Sequence, residues 1–257
     1  MSKPVTFEKK GAVGIVTINR PEKDNTINSQ VAQEFHEMCR NINIDESVKA
    51  VIITGAGDNI FCKGIDPDVL KNLQKVQAKI FSPFSVAEPV ASLQCPTISA
   101  INGDAFGQGL ELALACDLRI SSERAHFALL QIDEGFLPQD GATQRLPRIV
   151  GIPKAIELIL TGTTIDAAEA YRIGLITKII PQLELMSATL EIAQTMATKS
   201  PLALSFVKEA INKGMDLTLI QGLQLEADLY FLLHTTEDRT EGIKAFLEKR
   251  PPQFKGK

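Results

Sequence analysis

The stretch AINGDAFGQGLELALACD, Ala100 to Asp117, places three glycines within seven residues directly after an apolar run. It then sets a lone carboxylate, Glu111, among Leu110, Leu112, Ala113 and Leu114. Desolvating an unpaired carboxylate is costly, so Glu111 requires either a partner or a chemical task. Glycine lets bare backbone approach a ligand, and a helix opening near Gly107 directs unpaired N–H groups and a positive dipole end at whatever sits there. Such a place suits a developing oxyanion; a plain tight turn between strand and helix fits the glycines equally well. A second turn of the same kind, GDNIFCKGIDPDVL (57–70), follows the run VIIT and carries Gly64 ahead of a helix start at Asp66 and Pro67. It can present the N–H of Ile65, and two such turns after two strands can converge on one oxygen.

The elements that must hold these turns are legible in the hydrophobic pattern. AVGIVTIN (12–19), KAVIITG (49–55), PTISAIN (96–102), DLRISS (117–122) and GLITKII (174–180) are short, β-branched and ended by turn residues, which predicts strands. SQVAQEFHEMCRNI puts Val31, Phe35, Met38 and Ile42 on one helical stripe, with Ser29 as the expected N-cap. Strand and helix alternate, which favours an α/β core with mostly internal strands. After PQLELM the β signal stops, and helices are expected over 182–199, 201–213, 216–234 and 237–248. A helical tail of this size packs on its own core or on a neighbouring subunit, so an oligomer is expected.

Composition excludes several classes of function. The 257 residues carry 27 Lys and Arg against 31 Asp and Glu, a net charge of -4 that argues against a nucleic-acid partner. No apolar run approaches the roughly 20 residues that span a bilayer, so no membrane association is expected. Cys39, Cys62, Cys95 and Cys116 form no CxxC pair and MSKPVTFEKK has no secretory apolar core, which points to a reducing, cytoplasmic setting. Gly107 and Gly109 begin a dinucleotide fingerprint that Leu112 breaks, and no P-loop or GxSxG elbow occurs. His36, His126 and His234 are scattered without metal-ligand spacing, so no metal site is expected.

Taken in order, VGIVTINRPEKDNTIN, VKAVIITGAGDNIFCKGID, PTISAINGDAFGQGLELALACDLRISSERAHF, GATQRLPRIVG, AIELILTG, EAYRIGLITKIIP and EGIKAFLEKRPPQFKGK span essentially the whole chain. In that order they resemble the crotonase (enoyl-CoA hydratase/isomerase) superfamily. The resemblance implies an α/β fold: a crotonase-like spiral of ββα units (1–195), with a C-terminal helical trimerisation region (196–257) packing on the core and on neighbouring subunits. It implies an acyl-CoA thioester as substrate, no separate cofactor because coenzyme A is part of the substrate, and a homotrimer or dimer of trimers. It further implies that the N–H groups of Ile65 and Gln108 form an oxyanion hole for the thioester carbonyl. Glu111 falls at the position of the first catalytic glutamate of the family's hydratases. For the coenzyme A moiety the resemblance implies contacts from Glu22, Lys23 and Asn25, from Lys63, Gly64 and Asp66, from Gly107, and from Phe246 and Lys249, the last two often reaching a neighbouring subunit.

The chain departs from the family's pattern at Gln131, where hydratases commonly carry a second glutamate; an amide holds a water or a carbonyl but cannot carry a proton as a carboxyl does. Gln108 is a second departure, since relatives usually have glycine there. Asp140, in PQDG, lies where some relatives that make or break carbon–carbon bonds carry an aspartate, although a turn residue before Gly141 explains it as well. Glu134 is a further nearby acid without an assigned place. The expected function is hydration or dehydration of an enoyl-CoA through an oxyanion-stabilised enolate, with Glu111 as acid/base, Gln131 orienting water or acyl group and Asp140 supplying a second proton transfer. The alternatives are carbon–carbon cleavage, decarboxylation or isomerisation of a cyclic or β-keto acyl-CoA using Asp140, and a catalytically weak CoA-ester-binding subunit. Phe81, Phe84 and Val86, within 72–94, are candidates for an apolar acyl chamber.

Overall fold

The computed structural model describes residues 3–73 and 84–257. Phe81 lies outside the described residues. Among those described there are ten strands: β1 (Val5–Lys10), β2 (Val13–Ile18), β3 (Ala50–Gly55), β4 (Ile60–Cys62), β5 (Thr97–Ile101), β6 (Asp104–Phe106), β7 (Leu118–Ser122), β8 (His126–Ala128), β9 (Ile165–Asp166) and β10 (Lys178–Ile180). They form a six-stranded sheet in the order β1-β2-β3-β5-β7-β10 and a four-stranded sheet in the order β4-β6-β8-β9. Each long strand of the first sheet from β3 to β7 is followed at once by a short strand of the second, and then by the segment that crosses to the next pair. This repetition is the ββα spiral that the sequence resemblance implied.

The helices are α1 (Ser29–Ile44), α2 (Pro67–Leu73), α3 (Ala87–Ala91), α4 (Gln108–Ala115), α5 (Ala142–Val150), α6 (Ile152–Thr161), α7 (Ala167–Arg172), α8 (Leu185–Ala197), α9 (Pro201–Gly214), α10 (Leu219–Leu233) and α11 (Glu237–Leu247). None of the described helices is long and apolar enough to cross a membrane. The parallel strands β2, β3, β5 and β7 are sandwiched, which is why AVIITG reads as one apolar run: all six residues of β3 are buried. Along the register Ile15↔Ile52↔Ile98, one face of the sheet packs against Leu185 and Ala193 of α8. Val16 and Ile53, on the other face, belong to the larger core with Phe35, Phe61, Leu112 and Phe127.

The structure corrects several local expectations. Asn28, not Ser29, caps α1: its Oδ1 accepts from Val31 N at 2.9 Å, and Ser29 is the first helical residue. In 174–180 the strand is confined to Lys178–Ile180, because Gly174 turns in the left-handed region (φ 78°) after α7 and Leu175 and Ile176 drop into the core. Val5–Lys10, absent from the expected strands, pairs antiparallel with β2 at the sheet edge; only Val5 of its six residues is buried, so it carries little apolar signal.

Candidate active site

The site is built where the turns after β4 and β6 meet. Gly64 has φ 90°, and a Cβ placed on it would lie 3.2 Å from the backbone nitrogen of Gln108, so the two turns approach to van der Waals contact only because residue 64 has no side chain. Ile27 and Ile65 form a parallel β-bridge in which Ile27 N donates to Gly64 O and Asp66 N donates to Ile27 O, both at 2.8 Å. In that pattern the flanking groups face Ile27, and the N–H of Ile65 is turned to the opposite side. Gln108 is the first residue of α4, N-capped by Gly107, so its N–H has no partner within the helix. Neither N–H has an acceptor among the described residues. Two backbone donors thus border the same cleft.

Glu111 lies one turn further along α4, on the face shared by residues three apart, and is 1% exposed. Its Oε1 accepts from the N–H groups of Asp140 (2.8 Å) and Ala142 (3.0 Å), and its Oε2 accepts from Gln131 Nε2 (3.0 Å). Burial pushes the carboxyl up to about 7; the backbone donors act against it, and the neighbouring Asp140 charge adds to it. A carboxyl poised there can both take and give a proton near neutrality.

Gln131 stands on the 3-10 turn Leu130–Glu134 that follows β8. Its amide donates to Glu111, while its Oε1 is sealed from water without a partner among the described residues. Asp140 is occupied differently from a group that shuttles protons. Its Oδ1 accepts from Ser85 Oγ (2.5 Å), and its Oδ2 accepts from Val86 N (2.8 Å), Ala87 N (3.0 Å) and Gln108 Nε2 (3.0 Å). These four donors make the residue a brace that ties the start of α3 to the oxyanion turn. Gln108 Nε2 also donates to Phe84 O at 2.5 Å, so the side chain of Gln108 is fixed on the wall of the site.

Lys63, Gly64, Ile65, Gly107, Gln108, Glu111, Gln131 and Asp140 all border one open cleft of about 670 Å³. Phe106, Leu130, Glu134, Phe136, Leu137 and Gln139 complete its lining. Of these, the sequence singles out Glu134 alone; for Phe136 and Leu137, large apolar residues in the loop around Gly135 and Pro138 were the available signal.

The expected coenzyme A contacts divide. Asn25 is 0% exposed and bonded within its own surroundings: Oδ1 accepts from Arg20 N, and Nδ2 donates to Ala56 O and Ile60 O. Its side chain therefore offers no atom to a ligand, and its role is to hold the loop. Asp66 is buried too, paired with Arg20 at 2.8 Å and capping α2 through Asp68 N. That pairing draws its carboxyl below the usual range against the opposing effect of burial. Lys23 is exposed near Asp68 (3.7 Å), Lys63 lies 3.3 Å from Asp24, and Glu22 is exposed on the 3-10 turn Pro21–Lys23. Phe246 is 81% exposed on α11, and Lys249 follows with φ 54°; neither lines the cleft of its own chain.

Comparison with known proteins identifies the family. The family model for enoyl-CoA hydratase/isomerase matches residues 8–257. A short-chain-enoyl-CoA hydratase of Clostridium acetobutylicum is 39% identical over 248 residues, 96% of this chain and 95% of that protein. A crotonyl-CoA hydratase of Syntrophomonas wolfei is 37% identical over 252 residues, 97% of each. The solved structure of an enoyl-CoA hydratase from Bacillus anthracis superposes with a TM-score of 0.92 at 36% identity, covering 99% of this chain and 100% of that one. Matched over nearly its whole length by the family model and by these relatives, the chain belongs to the enoyl-CoA hydratase/isomerase family.

Proposed function

We propose that this chain hydrates and dehydrates enoyl-CoA thioesters, with Glu111 as acid and base. The observation that carries the reading is a buried glutamate, held by three N–H donors and one helical turn from Gln108, in a cleft bordered by the Ile65 and Gln108 N–H groups, which have no acceptor among the described residues. The thioester carbonyl accepts from Ile65 N and Gln108 N, which draws electron density from the β-carbon. Glu111 takes a proton from water as the water oxygen bonds to Cβ, and the π electrons move through Cα to the carbonyl oxygen. The resulting enolate is stabilised by the same two donors, each worth about 2.7–4 kcal/mol in comparable sites. Protonation at Cα completes the addition.

Gln131, standing where the family's hydratases commonly carry a second glutamate, serves by fixing Glu111 Oε2 through its amide N–H rather than by moving a proton. Asp140 serves as the brace of the oxyanion turn, and its four donors speak against the carbon–carbon cleavage reading, which needs it as a free acid. Lys23 and Lys63 are the cations at hand for the phosphates of coenzyme A. Phe246 and Lys249, exposed and away from their own cleft, fit a role at the cleft of a neighbouring copy. The apolar side chains left bare on α10 and α11 fit a homo-oligomer built through these helices.

Glu111→Gln tests the reading. The expected result is retained CoA-ester binding with hydration of a short-chain enoyl-CoA slowed by about 10²- to 10⁴-fold, followed through loss of the conjugated thioester absorbance. Full turnover by the variant overturns the mechanism. Tight binding without turnover by the wild-type chain over a broad panel of enoyl-CoAs would favour a binding subunit instead.

A further inference from the structure

Glu111 can account for one of the two proton positions in a hydration, at the water oxygen; the proton at Cα needs a second carrier, and neither the Gln131 amide nor the saturated Asp140 carboxylate supplies it. Glu134 meets the requirement. It closes the 3-10 turn Leu130–Glu134 and borders the same cleft as Glu111. Residues three apart in a 3-10 helix eclipse one another, so Glu134 shares the face of Gln131, the residue whose amide touches Glu111. The intervening Asp133 points elsewhere, to the end of α6, where a Cβ on Gly162 would sit 3.2 Å from its carboxylate. Glu134 is exposed, and its carboxylate has no hydrogen bond or ion pair among the described residues, so it is uncommitted to the fold.

From this placement we propose that Glu134 is the second catalytic carboxylate, removing the α-proton when water is eliminated and returning it when water is added. The proposal rests on the enoyl-CoA reading above. In dehydration the Glu134 carboxylate takes the proton from Cα, and the C–H electrons form the enolate held by Ile65 N and Gln108 N. The enolate electrons then form the double bond as the β-hydroxyl leaves with a proton from Glu111, departing as water. Hydration runs the same steps backwards, ending with Glu134 deprotonated and Glu111 protonated; exchange with solvent resets both. The two groups sit in opposite surroundings, one desolvated in the core and one in water at the cleft wall. In effect, a carboxylate displaced by one 3-10 turn does the work that position 131 cannot.

The test compares Glu134→Gln, Glu111→Gln and the double variant Gln131→Glu/Glu134→Gln, each with a short-chain enoyl-CoA and with the matching 3-hydroxyacyl-CoA in deuterated water. For Glu134→Gln the expected result is kcat lowered at least 10-fold in both directions with unchanged affinity for the CoA ester, and with a matching loss of deuterium exchange at Cα. Gln131→Glu in that background is expected to restore kcat at least severalfold, because it returns a carboxylate to the same face one turn earlier; a purely structural loss would not be rescued. Glu134→Gln turning over within twofold of wild type while Glu111→Gln is inactive overturns this proposal and leaves the enoyl-CoA reading standing. Full activity in both single variants overturns both.

Discussion

Helices α4 and α10 are both rich in leucine, yet they meet opposite fates. Every residue of α4 is buried, Gln108 and Glu111 included. In α10 Leu229 alone is buried among the described residues, and Leu219, Ile220, Leu223, Tyr230 and Phe231 are more than half exposed. The first helix is sealed by its own chain: Gly109 lies so close to β4 that a Cβ there would be 2.0 Å from Cys62 O. The second packs chiefly on α9, and α9 in turn is pinned to the core through Lys208, whose Nζ lies 2.9 Å from Asp117 Oδ2. Complete burial makes α4 an exact scaffold on which two polar groups can be placed, whereas α10 keeps its apolar face for a surface outside the chain.

That contrast can be broken most severely at Gly109. Gly109→Val must push α4 off β4, and we expect a loss of more than ~3 kcal/mol, seen as failure to accumulate folded protein or a collapsed thermal transition. Next comes the brace: Asp140→Asn keeps an oxygen for the three N–H donors only by turning its N–H₂ toward Ser85 Oγ and removes the negative charge they share, for an expected cost of about 1–3 kcal/mol together with slower turnover, read by denaturant unfolding and kinetics.

The raised carboxyl of Glu111 adds a pH signature. Because the folded state holds its proton up to about 7 while the unfolded chain releases it near 4.5, folded protein binds more protons in that interval and stability falls as pH rises through it. The expected change is on the order of 1–3 kcal/mol, and Glu111→Gln should flatten it in melting curves from pH 4.5 to 8. By the same shift, the dehydration rate should fall as pH rises through about 7, because elimination needs the proton on Glu111. The smallest effect on the fold of a single chain is expected at α10. Phe231→Asp should leave that fold within about 0.5 kcal/mol while shifting the sedimentation profile towards smaller species; an unchanged profile would remove α10 from the proposed interface.

The contrast also explains which features were legible before the structure. The β-branched runs of β2, β3, β5 and β7 and the tail helices announced themselves because burial on both sheet faces, or on one helical stripe, writes a period into the residues. The short strands β4, β6 and β8 have three residues each and exist only by pairing with one another, so no local pattern marks them. At the site, Glu111 and the turns at Gly64 and Gly107 stood out through conflict with their neighbours, a carboxylate among leucines and glycines beside strands. For Asn25 and Asp66 the resemblance implies ligand contact, and the sequence cannot correct it, because a polar residue in a loop looks the same whether it faces a ligand or the loop's own backbone. Asp140 was ambiguous for the same reason, and its four donors come from residues 85, 86, 87 and 108, far apart in the chain.

By itself the sequence determined the alternation of strand and helix, the two glycine turns, the buried carboxylate, the resemblance to a family and the absence of a glutamate at 131, all of which are properties of neighbours along the chain. Tertiary structure decided that Gly64 and Gln108 touch, that the Ile65 N–H turns away from Ile27, that Asp140 is saturated and that Glu134 shares a cleft with Glu111. Each of these depends on distances and directions between segments that packing alone brings together, and on which polar atoms that packing leaves without a partner.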